Sequence, residues 1–147
     1  MKALTLAFSV AALLSSPSLT RAECVRLWKD VPDARRLSAL VFSGTVTDIK
    51  GDSDRVFVTF EVDRAWKGPT RRRLVLPLYM TIESVLFVKG RRYVVFADRH
   101  VASPEIHGSM KVPTVTEPVF EVSSCSPTKP IEEAQATLKQ LGRGTTP

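Results

Sequence analysis

The sequence predicts a mainly β protein, a small five-stranded barrel with one short helix ahead of the strands and one behind them. Three observations predict it. Apolar and polar residues alternate with period two along several stretches in the middle of the chain. Clusters rich in glycine, proline and aspartate separate those stretches, and helical signals are confined to two short segments near the ends.

The first 22 residues read as a Sec-type signal peptide. Lys2 forms the charged start, Ala3–Leu14 an apolar run of 12 residues, and Ser15–Ala22 a small, polar stretch broken by Pro17. That run is too short to span a bilayer, which takes about 20 residues. Thr20 and Ala22 supply the small side chains that a signal peptidase needs, which places cleavage after Ala22. Glu23 directly before Cys24, with no leucine where a lipobox has one, argues against a lipid anchor on Cys24. Cleavage leaves a single domain, 23–147, long enough to bury a real core. It carries 19 basic and 15 acidic residues, a formal charge of +4 against +6 for the whole chain. Such a mild excess favours solubility and weak attraction to polyanions without specifying one. The expected location is secreted or periplasmic, with no membrane span.

A short helix is expected from Pro32 to about Ala39. The first strand is Leu40-Val41-Phe42-Ser43-Gly44-Thr45-Val46, with Gly44 marking strong bending or a close backbone approach. Gly51-Asp52-Ser53-Asp54 reads as a turn. Residues 55–63 alternate best: Val56, Val58, Phe60 and Val62 share one face, and Arg55, Thr59, Glu61 and Asp63 take the other. After Trp66, the turn Lys67-Gly68-Pro69 leads to a third strand through Leu74, Leu76 and Leu78. Pro77 puts that strand at an edge or a bulge, because proline cannot donate to a ladder. The fourth strand is Arg92-Tyr93-Val94-Val95-Phe96-Ala97 and the fifth Val119-Phe120-Glu121-Val122. Residues 79–89 and 98–117 carry the least pattern, and the second stretch reads as a long connection or ragged hairpin. A last helix starts with Pro130 in its first turn, carries Ile131, Ala134, Leu138 and Leu141 at helical spacing, and ends at Gly142.

Cys24 and Cys125 are the only cysteines, a hundred positions apart. In an exported protein they read most simply as a disulfide, and closing so long a loop stabilises by about 4–5 kcal/mol at best. The rival reading is a pair of thiols, one of them reactive. Neither cysteine has an adjacent histidine or a CxxC partner to activate it.

Several of these segments in order resemble a known family. They are Val41-Phe42-Ser43-Gly44-Thr45-Val46, Val58-Thr59-Phe60-Glu61-Val62 with Trp66-Lys67-Gly68, the run from Val88 to Ala97, and Cys125 followed by Pro130-Ile131 and a short helix. Together they look like the bacterial secreted domains related to the tissue inhibitors of metalloproteinases, the netrin-like OB-fold group. The resemblance implies a five-stranded OB-like Greek-key barrel with a disulfide tying the N-terminal segment to the region after strand five. The chain departs from the inhibitors where they act. Their mature N-terminal cysteine chelates the protease zinc through its amine and carbonyl, whereas here Glu23 precedes Cys24. A second cysteine pair is missing, and Ile82-Glu83-Ser84 stands where relatives tend to carry one of its members.

Other chemistries find less support. An OB face can stack single-stranded nucleic acid on aromatic side chains, but Phe57 shares its face with Glu61 and Asp63, which repel phosphate. The basic runs Arg71, Arg72, Arg73 and Lys89, Arg91, Arg92 offer a polyanion patch if the fold unites them, the alternative being solvated turns. His100 and His107 lack any third ligand at metal spacing, Glu132-Glu133 suit a helix start, and Trp28 and Trp66 read as core. No catalytic residue, metal or cofactor is expected. The function expected is a protein-binding module with a partner in the envelope or outside the cell. A metalloproteinase-inhibitor-like role and weak polyanion binding are the alternatives. The mass of the exported protein with and without reductant should show Glu23 as the first residue and two thiols released only on reduction. A first residue of Cys24 would restore the zinc-chelating mechanism.

Overall fold

The computed structural model describes residues 28–51, 55–68, 71–100 and 118–147. The expected signal peptide, Glu23, Cys24 and His107 lie outside the described residues. The elements in order are α1 (Val31–Leu37), β1 (Leu40–Gly51), β2 (Arg55–Lys67), β3 (Arg73–Tyr79), β4 (Arg92–Arg99), β5 (Phe120–Glu121), β6 (Lys129–Pro130), a 3-10 turn (Ile131–Glu133) and α2 (Gln135–Leu141). No helix among the described residues is long and apolar enough to cross a membrane.

Five strands close an OB-like barrel in the order β1-β2-β3-β5-β4, with β4 returning to β1. All neighbours are antiparallel except β3 and β5, which run parallel through Leu78 and Phe120. The long β1 serves both halves of the barrel. Gly44 in its middle pairs with Val62 on β2 and with Tyr93 on β4. A Cβ there would lie 2.7 Å from the Glu61 carbonyl oxygen and 3.1 Å from the Val62 Cα, so only glycine allows β2 this close.

Three irregularities in the β1–β2 ladder set where side chains go. One residue is left unpaired at each: Thr47 on β1, and Asp63 and Trp66 on β2. Because the side-chain period is two, each extra residue shifts the following one to the other face. Val62 and Ala65 therefore both point into the barrel, and Trp66 points out of it. The barrel interior is filled by Phe42, Val46, Val58, Phe60, Leu76, Leu78, Val95 and their neighbours. Four rings run through it edge to face, with centroids 5.1 Å apart for Phe42 and Phe60, 5.2 Å for Phe60 and Phe87, and 5.0 Å for Phe87 and Tyr93. Such pairs are each worth about 0.5–1.5 kcal/mol beyond simple burial.

A second core lies outside the barrel wall, where Val41, Trp66, Val94 and Phe96 meet Val31 and Ala34 of α1, Ala134, and Leu141 of α2. Strand β4 is thus apolar on both faces, which explains its unbroken run from Tyr93 to Ala97. Trp28 packs half-buried against this core, and Trp66 belongs to it outright. The Trp66 indole N–H donates to the Gly142 carbonyl at 2.9 Å, and Thr145 exchanges two 2.8 Å backbone bonds with Ala65. These bonds lay the C-terminal segment along the end of β2.

Helix α1 stops two residues short of the expected Ala39, because the Ala39 N–H donates to Ala97 in β4 at 2.9 Å. Its start is capped by Asp30, whose carboxylate accepts from the Asp33 N–H at 2.8 Å. The C-terminal helix also starts later than the sequence suggests. Pro130 is extended and pairs with Tyr93 as the end of β6, and α2 follows only after the 3-10 turn. The free edge of β4 below β5 draws Lys129–Pro130 into the sheet. Between these two short strands the Thr128 hydroxyl accepts from the Phe96 N–H at 2.8 Å and donates to the Phe96 carbonyl at 3.3 Å, completing that edge.

Pro77 sits where β3 can accept it. The Val62 N–H donates to the Arg72 carbonyl at 2.7 Å. Counting along the antiparallel ladder from that pair makes Phe57 and Pro77 a pair without hydrogen bonds. The proline nitrogen therefore faces away from β2. Strand β4 runs on to Arg99, two residues beyond the expected end, and the unpatterned stretch after β3 is ordered by backbone bonds to the chain beyond β5. Gly44→Ala should lower stability by about 1–3 kcal/mol, as overpacking does, read as a shift of the urea midpoint at unchanged slope.

Candidate functional site

The expected basic patch divides on folding. Arg72 precedes β3 and Arg73 opens it, Arg92 opens β4, and Lys89 and Arg91 flank Gly90 in a turn that two backbone bonds pin to Val46. From this start Arg72 and Arg92 converge on one shallow cleft of about 560 Å³ that Thr45, Glu61, Asp63 and the terminal Thr146-Pro147 also line. The cleft is charge-balanced. Arg72 pairs with Glu61 at 3.2 Å. Arg92 grips the Asp63 carboxylate with two nitrogens, the Nε at 3.2 Å from Oδ1, while the Ser43 hydroxyl donates to Oδ2 at 2.9 Å. The bulge that leaves Asp63 unpaired in the ladder is what places its side chain there.

The remaining cations turn elsewhere. Arg91 reaches Glu132 at 2.6 Å and Glu133 at 3.6 Å, so those two carboxylates hold the turn before α2 against β4. Lys89 lies 3.7 Å from Asp48, which Lys50 approaches at 3.1 Å. Arg71 stays exposed at the mouth of β3. Exposed pairs of this kind add little to stability, because water screens them. Their weight for binding is larger than for stability, because a polyanion would have to displace the carboxylates that already occupy the guanidinium groups.

The acids show the same pairing in their titration. Hydrogen bonds from Arg36 and from the Lys29 backbone N–H hold Asp33 below its usual range. Lys50 does so for Asp48, and Glu132 is held low by its own backbone N–H and by Arg91. Asp98 is the opposite case. Partial desolvation raises it, with the Glu121 carboxylate opposite adding repulsion, against a hydrogen bond from Ser38 and attraction from Lys67.

His100 is not a bare loop residue. Its N–H donates to the Val119 carbonyl at 2.8 Å, its ring stacks on Tyr79 with centroids 4.4 Å apart, and its Nδ1 lies 3.6 Å from Glu121. Among the described residues no three His, Cys, Asp or Glu side chains group as metal ligands. Cys125 follows β5, its N–H donating to the Ser123 hydroxyl at 3.0 Å; its expected partner Cys24 lies outside the described residues.

The exposed surface is also apolar in places, of which the sequence marks only Phe57. Phe57, Val75 and Tyr79 stand exposed on the outer face of β2 and β3, with the Arg55 guanidinium 5.6 Å above the Phe57 ring. Beyond β3 the connection to β4 presents Ile82, fully exposed, with Leu86 and Val88 more than half exposed. The available signal was that Val75 and Tyr79 hold the polar phase of the alternation without being polar. In the connection itself no periodicity marked which apolar residues would face solvent.

Acidification should weaken the fold through Asp33, Asp48 and Glu132. Their carboxylates stay ionised in the folded protein at pH values where the unfolded chain takes up protons, so their stabilisation is complete above about pH 5 and drains away as pH falls below about 4. Asp98 runs the other way, its ionised form being disfavoured in the folded state. Asp98→Asn should raise the urea midpoint at neutral pH and leave it unchanged at about pH 3, where both states are protonated. Compared with known proteins, the chain matches no family model and no curated protein.

Proposed function

We propose that this chain is an exported, netrin-like OB domain that acts as a protein-binding module, with Cys24 and Cys125 joined as a disulfide that ties the N-terminal segment to the barrel. The observation that carries the reading is the connection between β3 and β4. Ile82, Leu86 and Val88 stand in water on it, yet its backbone is held. The Thr81 N–H donates to the Ser84 hydroxyl at 2.8 Å, Val85 donates to the Val122 carbonyl at 2.8 Å, and Ser124 donates to the Glu83 carbonyl at 2.6 Å.

Burying a side chain of this size is worth about 1.5–3 kcal/mol. A collapsible loop would tuck these residues away; a braced one holds them out, where a partner surface can cover them. Preorganised backbone also lowers the ordering cost that an interface must overcome. The balanced cleft between Arg72 and Arg92 offers no comparable surplus, because its charges already satisfy one another.

A photo-crosslinking residue at position 82, introduced in the native exporting host, should give a discrete adduct with one envelope or extracellular protein. Leu86→Asp should abolish that adduct while changing the unfolding free energy, read by urea titration, by no more than about 0.5 kcal/mol, the usual range for a surface change. Changing Arg71, Arg72 and Arg73 to Ala should leave it intact. Absence of an adduct, or its loss on the arginine changes alone, would sink the proposal.

A further inference from the structure

Around the barrel from the balanced cleft, where α1, α2 and the end of β2 meet, lies a second open pocket of about 540 Å³. Pro32, the Trp66 indole and Leu141 give it an apolar floor, and Arg35, Arg36, Lys67 and Gln140 form its rim. Its cations are held differently from those of the other cleft. Arg35 donates to the Trp66 carbonyl at 2.9 Å, and the Lys67 ammonium donates to the Arg36 and Arg35 carbonyls at 2.7 and 3.3 Å. Carbonyl oxygens fix a cation in place without cancelling its charge. Arg36 has a carboxylate partner, Asp33, at 2.7 Å. Among the described residues no carboxylate lies within ion-pair distance of Arg35 or Lys67; Lys67 acts on Asp98 only through the longer-range field.

We propose that this pocket binds the C-terminal carboxylate of a peptide whose last side chain is apolar. The unneutralised pair, Arg35 and Lys67, supplies the counter-charge, and both are already oriented by backbone bonds, so little ordering is lost on binding. The floor of Pro32, Trp66 and Leu141 is the size of one side chain. A long acyl chain needs a longer apolar slot than three residues provide, whereas an open mouth lets the rest of a peptide run out across the surface. The volume lies within the range of sites that hold ligands of that size. This site is separate from the Ile82 connection, so each reading stands or falls on its own.

The test is a titration of the whole exported protein, followed by amide chemical shifts, with acetyl-alanyl-phenylalanine, with its C-terminal amide, and with decanoate. The free acid should shift the amides around Trp66 and Leu141 at millimolar concentration, and the amide should bind at least about tenfold more weakly, the equivalent of losing one charge-assisted contact. Lys67→Gln should weaken the acid by a similar factor, and Arg72→Gln, in the other cleft, should not. Lys67 also touches the end of α1, so its variant is first checked for native near-ultraviolet dichroism; the acid-to-amide comparison on the unchanged protein stands without it. Equal affinity for acid and amide, no shifts with the acid, or tighter binding of decanoate than of the peptide would overturn the proposal.

Discussion

The bulge at Asp63 is the constraint on which the rest of the structure depends. One residue too many for the ladder with β1 reverses the alternation after Val62, so that Ala65 faces the barrel interior and Trp66 the opposite side. Around that indole the second core assembles, and both helices dock on it. The same two residues collect the chain's distant ends: Arg35 of α1 bonds the Trp66 carbonyl, Gly142 accepts from the indole N–H, and Thr145 pairs with Ala65. Without the extra residue, the alternation of β2 would point an indole into an interior already filled by Phe42, Phe60 and Leu76. The helices would then have nothing to cover.

Charge is distributed to match this architecture. On the barrel's open side three arginines at or just before a strand start meet a carboxylate from a neighbouring strand or turn: Arg72 with Glu61, Arg92 with Asp63, Arg91 with Glu132. On the helix side Arg35 and Lys67 bond backbone carbonyls, which are fixed by the fold and carry only partial charge. A run of arginines in a sequence is therefore a poor guide to positive potential. What matters is whether a strand partner brings an acid within reach, and that is decided by register, a property of two segments rather than one.

Much of the fold was legible from local pattern. Period-two alternation located β1, β2 and β3 because one face of each is buried, and Gly44 announced the close approach of β2 because no other residue fits there. The misplaced boundaries share a cause: long-range hydrogen bonds outcompeted local preference. Ala39 was taken from α1 by Ala97, and Pro130 was taken from the last helix by the open edge of β4. Of the site residues, the six basic ones were readable as exposed charges, but their partners were not, being 11 residues away for Arg72 and 41 for Arg91. Arg35 and Lys67 carried no motif at all; only the packing of α1 against the end of β2 brings them together.

Pro77 has a consequence beyond the barrel it belongs to. Strand β3 meets β5 at a single residue pair, so among the described residues Arg73–Pro77 shows no partner strand on its outer edge. A row of unsatisfied backbone groups at a sheet margin is a template on which a second molecule can add a strand and start a fibre. With its nitrogen turned outward, Pro77 removes a donor from the end of that row, beside the pair with β5, and sets its ring against any incoming chain. The barrel can leave its seam narrow because the one residue that weakens the seam also makes it unusable for self-association.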